Sequence, residues 1–81
     1  MLRSEILNEL KKVIASRPDW KVDVSLINEE TNFQEDAGFD SLDSLELILE
    51  VEKHFKISLP EGEEHKIKTV KILIDIIEKL V

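Results

Sequence analysis

Apolar residues recur at helical spacing in three stretches of this 81-residue chain, and no stretch alternates over the length that a β-sheet would need. That pattern predicts an all-α domain. Ile6, Leu7, Leu10, Val13 and Ile14 share one face, with Lys11 and Lys12 on the other, which predicts a first helix over about Ser4 to Ala15. Arg17-Pro18 ends it, because the residue before proline is pushed out of the helical region and proline cannot extend the hydrogen-bond ladder. A second helix is expected from Asp40 or Ser41 to about Phe55, with Asp40 as N-cap and Asp43 three residues on completing a capping box. Thr69 caps a last helix carrying Val70, Leu73, Ile74, Ile77 and Val81. Lys56 to Pro60 reads as an extended link, Glu61-Gly62-Glu63 as the opening of a turn, and Glu63 to Lys66 as a brief extra helix. Val22-Asp23-Val24 is the one short alternation and has no strand to pair with. The expectation is therefore a single domain over residues 1–81, a three-to-four-helix bundle. Its long loop, Pro18 to Phe39, is pinned by Trp20, Val22, Val24, Leu26, Ile27 and Phe33.

A chain of this length makes one core and has little room for a deep cleft. With 42% hydrophobic and 36% charged residues it is too apolar to stay disordered and too interrupted by charge to span a membrane. It contains no cysteine, so no disulfide framework is available, in keeping with a reducing, cytoplasmic setting. The first residues, MLRSEILNELKK, lack the apolar run of a signal peptide. The net charge of -7 repels nucleic acid and anionic membranes and favours proteins with basic patches. Self-repulsion should also make the fold more stable in salt.

The second helix carries more apolar surface than one packing partner needs. Leu47, Ile48, Val51 and Phe55 form one face, and Leu42, Leu45 and Leu49 widen it past half the circumference. Helices packed on both flanks would explain that width and are the expectation. The functional alternative leaves Leu42 and Leu49 exposed for partners. Asp43, Glu46 and Glu50 make a row of carboxylates on the remaining face. Read locally, Ser41 is an ordinary helix-start serine. A hydrolase built on it lacks a base, since His54 lies 13 residues further along the same helix, roughly 20 Å away. His65 could come closer, but no oxyanion-hole signature accompanies it. Asp36, Asp40 and Asp43 do not make a calcium loop, because Gly38 and Leu42 stand where ligands are required and no glutamate closes it. No catalytic residue and no metal site is expected.

The stretch Phe33-Gln34-Glu35-Asp36-Ala37-Gly38-Phe39-Asp40-Ser41-Leu42-Asp43 resembles the signature of acyl carrier proteins, Gly-x-Asp-Ser-Leu before an acidic second helix. The order of Glu46-Leu47, Glu52, Phe55, Ile57, Leu59-Pro60, Lys66-Ile67 and Thr69-Val70 is similar to that of bacterial fatty-acid carriers, so the resemblance covers nearly the whole chain. It implies that a phosphopantetheinyl transferase, using coenzyme A and magnesium, esterifies Ser41 with 4'-phosphopantetheine, with Asp40 and Leu42 flanking the attachment. It also implies that Asp40, Asp43, Glu46 and Glu52 meet basic patches on acyl-transfer and chain-elongation enzymes, with Leu49 among the partner-recognition residues, and that an acyl chain slips past Leu47, Ile67 and Leu73. The expected protein is a monomeric, non-catalytic shuttle, most simply of fatty-acid or related lipid synthesis. The alternatives are a peptidyl or polyketide carrier and an unmodified acidic interaction module. A chain without cysteine needs such an arm to offer a thiol. Lys53 and His54, where the family is usually acidic, Ala37 for a usual leucine, and bulky Phe39 depart from the pattern. Phe39 would either contact the arm or pack on the loop.

Overall fold

The computed structural model describes residues 1–60 and 62–81. Three α-helices carry the fold: α1, Arg3–Ala15; α2, Ser41–Phe55; and α3, Val70–Leu80. Single turns of 3-10 helix occupy Pro18–Trp20, Val24–Leu26 and Glu64–Lys66. The expected all-α bundle is what forms, and among the described residues there is no strand. The brief third helix is one 3-10 turn, too short for an α-helical ladder. The turn expected to open at Glu61 begins outside the described residues. None of the described helices is long and apolar enough to cross a membrane.

Each helix owes its ends to local chemistry. Asp40 Oδ1 accepts from the Asp43 N–H at 2.8 Å and Asp43 Oδ2 accepts from the Asp40 N–H at 3.2 Å, the reciprocal box anticipated for α2. Lys56, in the left-handed region at φ 57, closes α2 by donating its N–H to the Glu52 carbonyl. Thr69 Oγ1 accepts from the Ile72 N–H at 3.3 Å and starts α3. Thr69→Ala is therefore expected to lower stability by about 1 kcal/mol, read by urea denaturation.

The core is aliphatic at its centre. Ile6 and Leu10 of α1, Leu47 and Val51 of α2, and Val70, Leu73, Ile74 and Ile77 of α3 are almost wholly buried. Ile67 and Leu59 seal its edges. The long connection is more ordered than its lack of periodicity suggested. Thr31 Oγ1 accepts from the Asn28 N–H, Asn32 Oδ1 accepts from the N–H groups of Gln34 and Glu35, and Asp36 Oδ2 accepts from the Asn32 N–H. Backbone bonds then join the loop to the start of α3. Phe33 donates to Lys68 at 2.9 Å, Val70 to Thr31 at 3.0 Å and Lys71 to Glu29 at 2.9 Å, around an isolated antiparallel bridge between Asn32 and Thr69. Strand-like pairing thus occurs at Asn32 rather than at Val22-Asp23-Val24. Of the expected anchors, Trp20, Ile27 and Phe33 are buried and Val22 and Val24 pack against the core, but Leu26 is 74% exposed. Leu26 ends a 3-10 turn whose neighbour Ile27 takes the inward place.

Ion pairs tie the helices across the acidic surface. Arg3 donates to Glu29 at 2.6 Å, Asp75 at 2.6 Å and Glu78 at 3.1 Å, which holds its guanidinium protonated even more firmly than usual. Lys12 meets Glu9 within α1 at 2.9 Å, and His54 meets it at 2.8 Å, joining α1 to the end of α2. The hydrogen bond from Lys12, then that from His54, holds the Glu9 carboxyl below its ordinary range. A depressed carboxyl stabilises the fold above its unfolded pKa of about 4.3 and loses that contribution as pH falls through the lower folded value. Melting curves from pH 6 to pH 3 should accordingly show a smaller acid-induced loss in Glu9→Gln than in the parent chain.

Candidate functional site

The entry into α2 is built from an aromatic anchor and one glycine. Phe39 is buried, its ring 5.0 Å from Trp20 and 5.8 Å from Phe33, and its N–H donates to the Phe33 carbonyl at 2.8 Å. Of the two roles open to it, Phe39 takes packing on the loop. Gly38, at φ 75, supplies the left-handed turn that sends the next residue inward. With Phe39 inward and Asp40 occupied as cap, Ser41 is turned to solvent as the first residue of α2. Among the described residues no acceptor meets the N–H groups of Ser41 and Leu42, as expected at a helix start. Such an end favours a phosphodiester beside it.

Beside Ser41 opens a cleft of about 310 Å³ lined by Phe33, Gln34, Ser44, Glu64, His65, Ile67 and Lys68. Its walls come from the long loop, α2 and the last 3-10 turn. The exposed hydroxyl and the adjoining cleft fit a flexible arm with a polar stem and a small acyl end. A larger groove of about 870 Å³ lies between α1 and the far end of α2, around His54 and Phe55. No serine or threonine lines it, so it offers no hydroxyl for attachment. His54 is committed to Glu9, far from Ser41. His65 shares the cleft with Ser41, but among the described residues no hydrogen bond joins them and no third group orients the ring. No cluster of three or more potential metal ligands occurs among the described residues.

The outward face of α2 departs from the expectation of helices on both flanks. Leu42, Leu45 and Leu49 are 61%, 44% and 53% exposed, because only one face, at Leu47, Ile48 and Val51, meets the core. Three leucines therefore stand in solvent, with Asp43, Glu46 and Glu50 alongside. The carboxylates differ in their duties. Asp43 closes the cap, Glu46 accepts from Arg17 at 2.6 Å, and Glu52 accepts from the Leu59 N–H at 2.9 Å. Leu47 and Leu73 lie within the closed core, whereas Ile67 both belongs to the core and lines the cleft.

A family model described as "Phosphopantetheine attachment site" matches residues 6–77. The chain belongs to the acyl carrier protein family. It is 40% identical over 81 residues to an acyl carrier protein of Thermosynechococcus vestitus, a match that covers 100% of this chain and 98% of that protein. It is 43% identical over 70 residues to one of Lactobacillus acidophilus, covering 86% of this chain and 85% of that protein. A third, from Rubrobacter xylanophilus, is 41% identical over 75 residues, covering 93% and 90%. Its role is thus that of a carrier, with covalently attached 4'-phosphopantetheine as its prosthetic group. The sequence did not single out Gln34, Ser44 or Lys68 of this carrier's cleft, nor Arg17, which reaches Glu46 of α2 from beyond the end of α1. Their neighbours are brought by the long loop and the 3-10 turn, whose paths no periodicity encodes.

Proposed function

We propose that Ser41 Oγ is the point at which this carrier receives its arm, and that Asp40 and Leu42 frame the attachment. The observation that carries the reading is the exposed hydroxyl at the start of α2, held there by the buried Phe39 and the Asp40–Asp43 cap, with a cleft beside it. When bound, the arm supplies the thiol on which an acyl group is carried as a thioester. The chain's own residues have three tasks. The unused N–H groups of the α2 N-terminus would hold the phosphodiester and offset part of the charge brought near Asp40 and Asp43. The cleft past Ser44 and Ile67 gives a short acyl group shelter from water. Leu47 and Leu73 belong to the same closed core as Ile67, and a longer chain enters only if that core opens around them.

Recognition falls to the exposed face of α2. Leu42 and Leu49 supply apolar contact, and Asp43, with Glu46 and Glu52 at its margins, supplies the negative field. Complementary charge speeds encounter and sets orientation without tight binding, which suits a shuttle that leaves each enzyme in turn. The partners on this reading are a phosphopantetheinyl transferase and acyl-transfer and elongation enzymes with basic patches. The carrier acts as a cytoplasmic monomer in fatty-acid or related lipid synthesis and performs no catalysis itself. The test is intact-protein mass after incubation with coenzyme A, magnesium and a broad-specificity phosphopantetheinyl transferase. A gain of one phosphopantetheine, located on the peptide containing Ser41, is expected. No gain by a folded chain alongside a working control carrier would reduce the protein to an acidic interaction module.

A further inference from the structure

Arg17 stands just past the end of α1, outside the motif that marks the site, yet it reaches the recognition helix. Its Nη2 atom donates to Glu46 Oε2 at 2.6 Å and to Asp19 Oδ2 at 2.9 Å, and its Nε donates to Asp19 Oδ1 at 3.0 Å. Its guanidinium lies 4.4 Å from the centre of the Trp20 ring. A planar cation fixed by a bidentate carboxylate on one side and an aromatic face on another is placed with little freedom to move away. These contacts keep it protonated throughout the working range.

The consequence is electrostatic. Glu46 stands on the outward side of α2 next to Leu42 and Leu49, where a basic partner would meet it, but its charge is already countered from within the chain. Asp43 has no ion-pair partner among the described residues, and neither does Glu50. Further along the same side, Lys53 is positive and without an ion-pair partner among the described residues. Glu50 has the cationic Lys53 three residues further along the helix, so the unbalanced negative charge of this side is greatest at the first turn, around Asp40 and Asp43.

Resting on the reading of Ser41 and α2 above, we propose that Arg17 is a specificity-determining residue that masks Glu46 and confines recognition by basic partners to the Ser41 end of α2. A partner whose cations match Asp40 and Asp43 engages this carrier fully. One that requires a carboxylate at Glu46 must displace Arg17 or bind against it.

The experiment measures kcat/KM for loading by a broad-specificity phosphopantetheinyl transferase at low and high salt, using the full chain. In the parent chain Asp43→Asn should lower the rate more than Glu46→Gln does. Arg17→Ala should raise kcat/KM by about two- to five-fold at low salt, through KM, with the gain lost at high salt. In the Arg17→Ala background, Glu46→Gln should remove that gain, a coupling that appears only in the four-way comparison. Arg17→Lys, which keeps the charge without the bidentate geometry, should fall between the two. A purely structural Arg17 would give a lower melting temperature, no change in KM or its salt dependence, and no coupling, which overturns the proposal. If Asp43→Asn also had no effect while loading proceeded, the assignment of α2 as the recognition face would be the part that failed.

Discussion

Ser41→Ala should take up no phosphopantetheine under conditions in which the parent chain is fully loaded, a difference of all or none by intact mass. The fold should be unchanged, because the side chain is solvent-exposed and makes no hydrogen bond to another described residue. Exposed substitutions of this kind usually stay within about 0.5 kcal/mol in stability. The helical circular dichroism and urea midpoint of the variant should overlay those of the parent. Ser44, which lines the same cleft, is the control: Ser44→Ala should load normally. Loading of Ser41→Ala, or loss of loading in Ser44→Ala alone, would place the attachment elsewhere.

The largest effect on stability is expected from Phe39→Ala. Phe39 fills the space between Trp20 and Phe33 and is 4% exposed. Removing a buried phenyl ring typically costs about 3–5 kcal/mol, the lost transfer free energy plus the cavity left behind. For a domain of this length total stability is on the order of 4–12 kcal/mol, so the change removes a large share of it. The loss should also reach function, because Phe39 sets the position from which Asp40 and Ser41 leave the core. Trp20, the single tryptophan, reports on the cavity directly, and its emission should shift to the red in the variant. Phe39→Leu, which retains most of the volume, should recover much of the stability and loading. A Phe39→Ala chain as stable as the parent would mean that the loop is held by its Asn32 and Thr31 bonds instead.

The motif region was legible because its chemistry is local. Asp40, Ser41 and Asp43 stand within one helical turn, so the cap and the start of α2 follow from spacing. The ends of α1 at Pro18 and of α3 at Thr69 follow for the same reason. The loop from Pro18 to Phe39 was less legible. Its order comes from Asn32, Thr31 and Asp36 bonding to nearby backbone and from pairing with residues 68–71, and that pairing partner lies more than thirty positions away. Leu26 and Ile27 illustrate the limit, since both are apolar neighbours and only the 3-10 turn between Val24 and Leu26 decides which one faces inward.

The width of the apolar arc on α2 was visible in the sequence, but its meaning was not. Periodicity states that Leu42, Leu45 and Leu49 share a side of the helix; it does not state whether anything covers that side. Likewise the row of carboxylates carries no mark to show that Arg17 will pair with Glu46, nor does Glu52 carry one to show that the Leu59 backbone will engage it. Sequence alone therefore determined the helical class and the helix ends, which depend on interactions within a few residues, while Ser41 was singled out by the resemblance to the carrier family and not by its local setting. Tertiary structure decided the closed core, the exposed leucines, the cleft and the masking of Glu46. Those depend on which distant segments meet, and burial and ion pairing are properties of that meeting rather than of any one segment.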